Sequence, residues 1–160
     1  MPATRALAAL LAAGVPHEVV KFGHDPAERS FGDEAVRVLT EAYGIAPEQI
    51  YKTLVLAGPD ALAVAVLPVP ARLSLKAAAA ALGLSRTTMA DRADAQRTTG
   101  YVVGAVSPFG QRRSLPTVVD ADALGWDRVY CSAGRRGWDV AVAPADLIRL
   151  TAAVTAPIQA

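Results

Sequence analysis

The sequence predicts an α+β domain built on a mixed β-sheet, and three observations point there. Short apolar or alternating runs recur along the chain, and several are separated by hairpin-type turn residues. Stretches with helical spacing are inserted between them irregularly, without the regular βαβ alternation of a parallel-sheet protein. Finally, 52% of residues are hydrophobic and 19% charged, the balance of a chain that buries a core. A length of 160 residues suits one such core, and no repeat or linker interrupts it, so residues 1–160 read as a single domain.

The elements follow in order. Thr4–Ala13 is a helix with Leu7, Leu10 and Leu11 at helical spacing, closed by Gly14. His17–Phe22 alternates as a first strand, and His24-Asp25-Pro26 is turn chemistry. Ser30 and Asp33 resemble a capping box ahead of a second helix, Ala35–Tyr43, which Gly44 ends. After a turn at Pro47-Glu48-Gln49, Ile50–Ala57 is a strand. Gly58-Pro59-Asp60 then turns the chain into Ala61–Pro68, a strand without polar residues and so buried on both faces.

Ser74 and Gly83 cap a helix over Ala77–Leu82, and Asp91 caps a short one over Arg92–Gln96. Gly100–Val103 reads as a strand that delivers a loop, Gly104–Gly110, and the chain becomes extended again at Thr117–Val119. Asp122–Leu124 is one helical turn. Arg128–Ser132 and Trp138–Ala143 form a hairpin across the basic turn Ala133–Gly137. Pro144 and Asp146 open a last helix, Asp146–Thr151, and Val154–Ala160 carries no signal.

Bulk properties exclude several functions. A net charge of +1 gives no basis for indiscriminate nucleic-acid binding, so any such contact needs a local patch. One cysteine, Cys131, precludes an internal disulfide and fits a reducing, cytoplasmic setting. Two histidines, His17 and His24, make a histidine metal site a poor fit, and no cofactor fingerprint or nucleophile elbow occurs. The alanine-rich start reads as an amphipathic helix, not a signal peptide, and charges or prolines interrupt every apolar run.

Individual residues each admit two readings. In Gly104–Gly110, Pro108 stiffens the loop and glycine lets another group approach the backbone, whose N–H groups can face a ligand oxygen; a plain hairpin connection explains the same residues. Lys52 emerges from an apolar strand face shared with Leu54 and Leu56. It either snorkels or presents an ammonium to a phosphate or carboxyl-derived oxygen. Phe31 is a core staple or a pocket wall, and His24 a loop residue or a general base. Arg112-Arg113 and Arg135-Arg136 are solubilising charges or a phosphate-contacting rim. Cys131, in an apolar strand, reads as a packed small hydrophobe ahead of the alternative, a thiol nucleophile.

Together the motifs HDP…SFGDEA (His24–Ala35), YKTLV (Tyr51–Val55), MAD (Met89–Asp91), TGYVVGAVSPFGQ (Thr99–Gln111), LPTVVD (Leu115–Asp120) and SAGRRGWDV (Ser132–Val140) give a specific likeness. In this order and spacing the chain resembles the YbaK/EbsC family, free-standing relatives of the editing domain of bacterial prolyl-tRNA synthetase, from the first helix to about Leu150. The resemblance implies a curved mixed sheet around an acyl pocket and removal of a wrong amino acid from tRNA, in the cysteine-specific members from Cys-tRNA(Pro). It implies that Lys52 holds the tRNA 3′ end and that the Gly104 backbone lies at the aminoacyl carbonyl. It places Phe31, Ser132 and Asp139 at the pocket, with Thr53 and Ser107 from the same motifs beside the substrate. Phe22 stands where relatives can carry tyrosine, and Ala105 replaces a common second glycine of the loop.

The four arginines Arg112, Arg113, Arg135 and Arg136 would then face tRNA. No cofactor or metal is implied, and the near-neutral charge fits a weak grip on tRNA shared with prolyl-tRNA synthetase as partner. Two alternatives stay open: deacylation of another mischarged tRNA such as Ala-tRNA(Pro), and a non-catalytic module binding aminoacyl or nucleotide ligands.

Overall fold

The computed structural model describes residues 2–23, 25, 27 and 29–160. His24 and Pro26, part of the expected turn, lie outside the described residues. The chain runs α1 (Arg5–Ala12), β1 (Glu18–Lys21), α2 (Phe31–Tyr43), a 3-10 turn at Pro47–Gln49, β2 (Tyr51–Ala57) and β3 (Leu62–Pro68). It continues with α3 (Leu75–Leu82), β4 (Thr88–Met89), α4 (Arg92–Thr99), β5 (Thr117–Asp120) and a 3-10 turn at Ala121–Gly125. The elements β6 (Val129–Arg135), β7 (Trp138–Val142), α5 (Pro144–Thr151) and β8 (Val154–Ala156) complete it.

The expected α+β architecture is present, with the strands divided between two sheets. One is mixed, in the order β4-β2-β3-β5-β8; the other is antiparallel, β1-β7-β6. A parallel bridge between Ile50 and Tyr130 links them. β3 lies in the middle of the mixed sheet, which is why its sequence is apolar on both faces. Val64 and Val66 face Leu7, Leu10, Cys131, Val140 and Leu147 of the main core. Ala65 and Leu67 face Ala78 of α3 and Ile158 on the other side. Each large aliphatic side chain buried here contributes about 1.5–3 kcal/mol.

Local chemistry sets the helix starts. Thr4 Oγ1 accepts from Leu7 N at 3.1 Å and donates to the Ala133 carbonyl at 2.7 Å, fixing α1 on β6. Ser74 and Asp91 cap α3 and α4 through their side chains, as their sequence positions indicate. The capping box at α2 does not form. Ser30 occupies the N-cap position at φ −89°, ψ 74°, away from the extended conformation that aims a hydroxyl back at the helix, and it makes no side-chain capping bond.

Three more expectations are corrected. Gly100–Val103 is no strand: α4 continues to Thr99, and residues 100–116 form an irregular loop. Here Tyr101 donates its hydroxyl to the Phe109 carbonyl and Val103 N–H donates to Gln96 Oε1, so the loop's apolar residues are satisfied without a ladder. The hairpin arm β6 runs through Arg135 with an irregularity after Ser132, so its turn is tighter than Ala133–Gly137. The tail forms β8, parallel to β5, and Asp120 pins it by accepting from Ile158 N and Gln159 Nε2. Three residues of strand are too few to show a period.

The feature that positions the site is the edge of β2. β3 covers one side along the whole strand, whereas β4 pairs only with Leu56 and Ala57 on the other. Ile50 O accepts from Val69 N on the β3 side, and Val55 O accepts from Ala90 N on the other. Alternation then turns the peptide group of Thr53 to the stretch of that edge between the Ile50–Tyr130 bridge and β4. Among the described residues, no helix is long and apolar enough to cross a membrane.

Candidate active site

Along that open edge lies a cavity of about 380 Å³, walled by β2, the first turns of α2, the loop at Val103–Val106 and the β4–α4 segment. Lys52, Thr53, Phe31, Gly104, Ser132 and Asp139, which the sequence scatters over more than half the chain, all line it.

Lys52 pairs with Leu67 across β2 and β3, so its stem leaves the sheet among aliphatic side chains. Its ammonium donates to the Val69 carbonyl at 3.2 Å and the Ala71 carbonyl at 2.6 Å, just past the end of β3. An ammonium has three donors, so one N–H remains for a ligand. Burial lowers the lysine pKa, and Asp33 on α2 pulls it back up.

The Val103–Gly104 turn lines the same cavity. Gly104 has φ +91°, and a Cβ there would sit 2.7 Å from Phe31 Cε2 and closer still to Cδ2 and Cγ. The Phe31 ring therefore lies flat against a backbone that only glycine supplies. The third wall comes from the antiparallel sheet, where Ser132 and Asp139 are cross-strand neighbours. Ser132 Oγ accepts from Gly134 N at 3.1 Å. Burial raises the Asp139 carboxyl to about 7, so at neutral pH it is shared between acid and carboxylate. The Thr53 hydroxyl is buried beneath the cavity surface and has no hydrogen-bond partner among the described residues.

Other expected site residues stand elsewhere. Phe22 lies in an adjoining recess with Arg135, Arg136 and Gly137. Ala105 and Ser107 are fully buried behind the loop and do not line the cavity. The turn at Gly104 sends the chain inward, and Ser107 Oγ accepts from Phe109 N. Arg112 and Arg113 are exposed, away from the cavity wall. Arg135 is exposed and stacks over Trp138 at 4.8 Å, with Lys21 over the same ring at 4.0 Å. Arg136 turns inward onto the loop.

Sequence reasoning missed Gly32 and Ala35 on α2, Met89 and Arg92 near the mouth, and Val69, whose carbonyl holds Lys52. For the α2 pair a signal existed. Phe31, Gly32 and Ala35 share one helical face, and the approach is close enough that a Cβ on Gly32 would lie 3.1 Å from Val69 Cγ1.

Among the described residues lining the cavity there is no cysteine or histidine. Cys131 is fully buried in the core, where desolvation pushes its thiol well above the usual range. Among the described residues, the arrangement offers the Lys52 ammonium, with Arg92 also on the lining, a turn of backbone at a glycine, a buried carboxyl and a confined space. Those suit orientation and charge stabilisation of a carbonyl reaction.

Comparison with known proteins agrees with this geometry. Residues 34–150 match the family described as the aminoacyl-tRNA editing domain. An Enterococcus faecalis protein named "Putative Cys-tRNA(Pro)/Cys-tRNA(Cys) deacylase EbsC" is 36% identical over 114 residues, 71% of this chain and 70% of its own length. A crystal structure described as "a putative trans-editing enzyme for prolyl tRNA synthetase" superposes with a TM-score of 0.83 at 28% identity, covering 98% of this chain and 95% of that one. The fold also matches hypothetical protein APE2540 with a TM-score of 0.84 at 23% identity, over 98% of this chain and all of that one. With the match extending from the first turn of α2 to α5 and taking in β2, the Gly104 loop and Asp139, the chain belongs to the aminoacyl-tRNA editing domain family, of the YbaK/EbsC type.

Proposed function

We propose that the protein is a trans-editing deacylase that removes cysteine from mischarged Cys-tRNA(Pro), with prolyl-tRNA synthetase as its functional partner. The observation that carries this reading is the meeting of Lys52 and Gly104 on one cavity whose described lining holds no thiol or imidazole. The aminoacyl ester enters the cavity. Lys52 directs its remaining N–H to the tRNA 3′ end, and the turn at Gly104 lies at the ester carbonyl. Phe31, Thr53, Ser132 and Asp139 shape the acyl side, and exposed Arg112, Arg113 and Arg135 meet phosphates outside it.

The substrate's own sulfur attacks its carbonyl carbon. The bond from that carbon to the ribose oxygen breaks, the thiol proton ends on the departing ribose hydroxyl, and a cyclic thiolactone leaves. Chemical selection of this kind supports discrimination that binding cannot, since one methylene more or less is worth only about 1–3 kcal/mol. The name of the 36% identical relative supports the choice of cysteine.

The test is release of amino acid from Cys-tRNA(Pro) and Ala-tRNA(Pro), with chromatography of the product. Rapid loss of cysteine as thiolactone, abolished in Lys52→Ala with the fold intact, is expected. Equal turnover of the alanyl ester refutes sulfur attack, and full activity of Lys52→Ala refutes the role of the ammonium.

A further inference from the structure

We infer that Arg136 is a positioning residue that clamps the Val103–Gly104 turn at the cavity, not a contact to tRNA phosphate. Both Nε and Nη2 of its guanidinium donate to the Val103 carbonyl, at 3.2 Å and 2.7 Å. The same group stacks over the Phe31 ring, 4.3 Å from its centroid. Phe31 is the ring that lies against Gly104. On the other side of residue 103, Val103 N–H donates to Gln96 Oε1 at 2.9 Å. Val103 is thus gripped through its carbonyl by the β6–β7 turn and through its N–H by α4.

Next along the chain, Ala105 N–H returns to the Val102 carbonyl at 2.9 Å and closes the turn. The planar fork of arginine grips one oxygen with two donors while its face covers a ring, which a lysine cannot reproduce. Arg136 is also half-buried, unlike its exposed neighbours Arg135, Arg112 and Arg113. A guanidinium engaged on both its edge and its face is poorly placed to take a phosphate.

The catalytic half of this inference rests on the proposed deacylation; the structural half does not. Two measurements therefore apply to the full chain: steady-state kinetics on Cys-tRNA(Pro) at several salt concentrations, and amide hydrogen exchange over residues 102–107. Arg136→Ala and Arg136→Lys should both lower kcat, by about 10- to 100-fold if the turn shifts by an ångström. KM and its salt dependence should stay at the wild-type values, and exchange in the segment should accelerate.

Recovery of kcat by Arg136→Lys, with a raised KM and a flatter salt dependence in Arg136→Ala, would identify a phosphate contact and overturn the clamp. So would unchanged exchange in either folded variant. Gln96→Ala loosens the opposite grip without altering charge and covers the case in which the arginine variants do not fold. It should lower kcat and speed exchange, and if it changes neither the clamp is overturned. Should the wild type release no amino acid from any charged tRNA, the deacylase reading fails, and exchange alone still decides the anchoring.

Discussion

Replacing Asp139 by asparagine gives a pH-dependent stability whose sign and size follow from burial alone. The carboxyl is buried on the antiparallel sheet, and desolvation lifts it from 3.8 to about 7. Between those values the folded protein keeps the proton and the unfolded chain loses it. Unfolding then releases a proton, so rising pH favours it. The stability associated with the protonated group is fully present below 3.8, declines as pH rises and is gone above about 7. A displacement of this size corresponds to about 4 kcal/mol.

Urea unfolding of wild type and Asp139→Asn at pH 4, 6 and 8 reads this directly. The variant should gain on the wild type steadily, by about 4 kcal/mol over the whole range. The same stability difference at pH 4 and pH 8 would show that Asp139 is solvated or ion-paired in solution, and the argument from desolvation would be wrong.

Gly104→Ala forces φ +91° on a residue with a Cβ and drives that carbon into the Phe31 ring. It should cost about 1–2 kcal/mol in backbone strain, with more from the ring's displacement, and should reduce deacylation by about 100-fold. A fully active Gly104→Ala protein would remove the turn from the mechanism. Cys131, buried with its thiol pushed up, should resist iodoacetamide in the folded protein and react once urea unfolds it. Fast labelling under native conditions, with loss of activity, would contradict the proposed attack by the substrate's own sulfur.

Much of the fold was legible because its signals are local. Ser74 and Asp91 announce their helices, and the polar-free run at Leu62–Pro68 announces a central strand. Lys52 was legible too, since alternation along β2 puts it with Leu54 and Leu56 and so in need of an explanation. What could not be read was decided by distant partners. Tyr101–Val103 has strand composition, yet α4 and Phe109 take the groups a ladder would use. β8 exists only because β5 offers it an edge and Asp120 holds the residues beyond it. Ala105 and Ser107 look like loop residues facing a ligand, but the handedness of the backbone at Gly104 buries them. Arg135 and Arg136 are adjacent and identical in type, and only the folded hairpin sends one outward and the other in.

The brevity of β4 also bears on solubility. A stretch of strand without a neighbour invites a foreign chain to zip onto it, which is how many sheet proteins begin to aggregate. Here the uncovered part of β2 is screened by the start of α2 and the Val103–Val106 loop, and the lysine at its end adds a charge that an incoming strand would have to accommodate. Between screen and strand the cavity of about 380 Å³ remains. One arrangement of the sheet thus guards the molecule against its own kind and keeps a hollow open at the strand it protects.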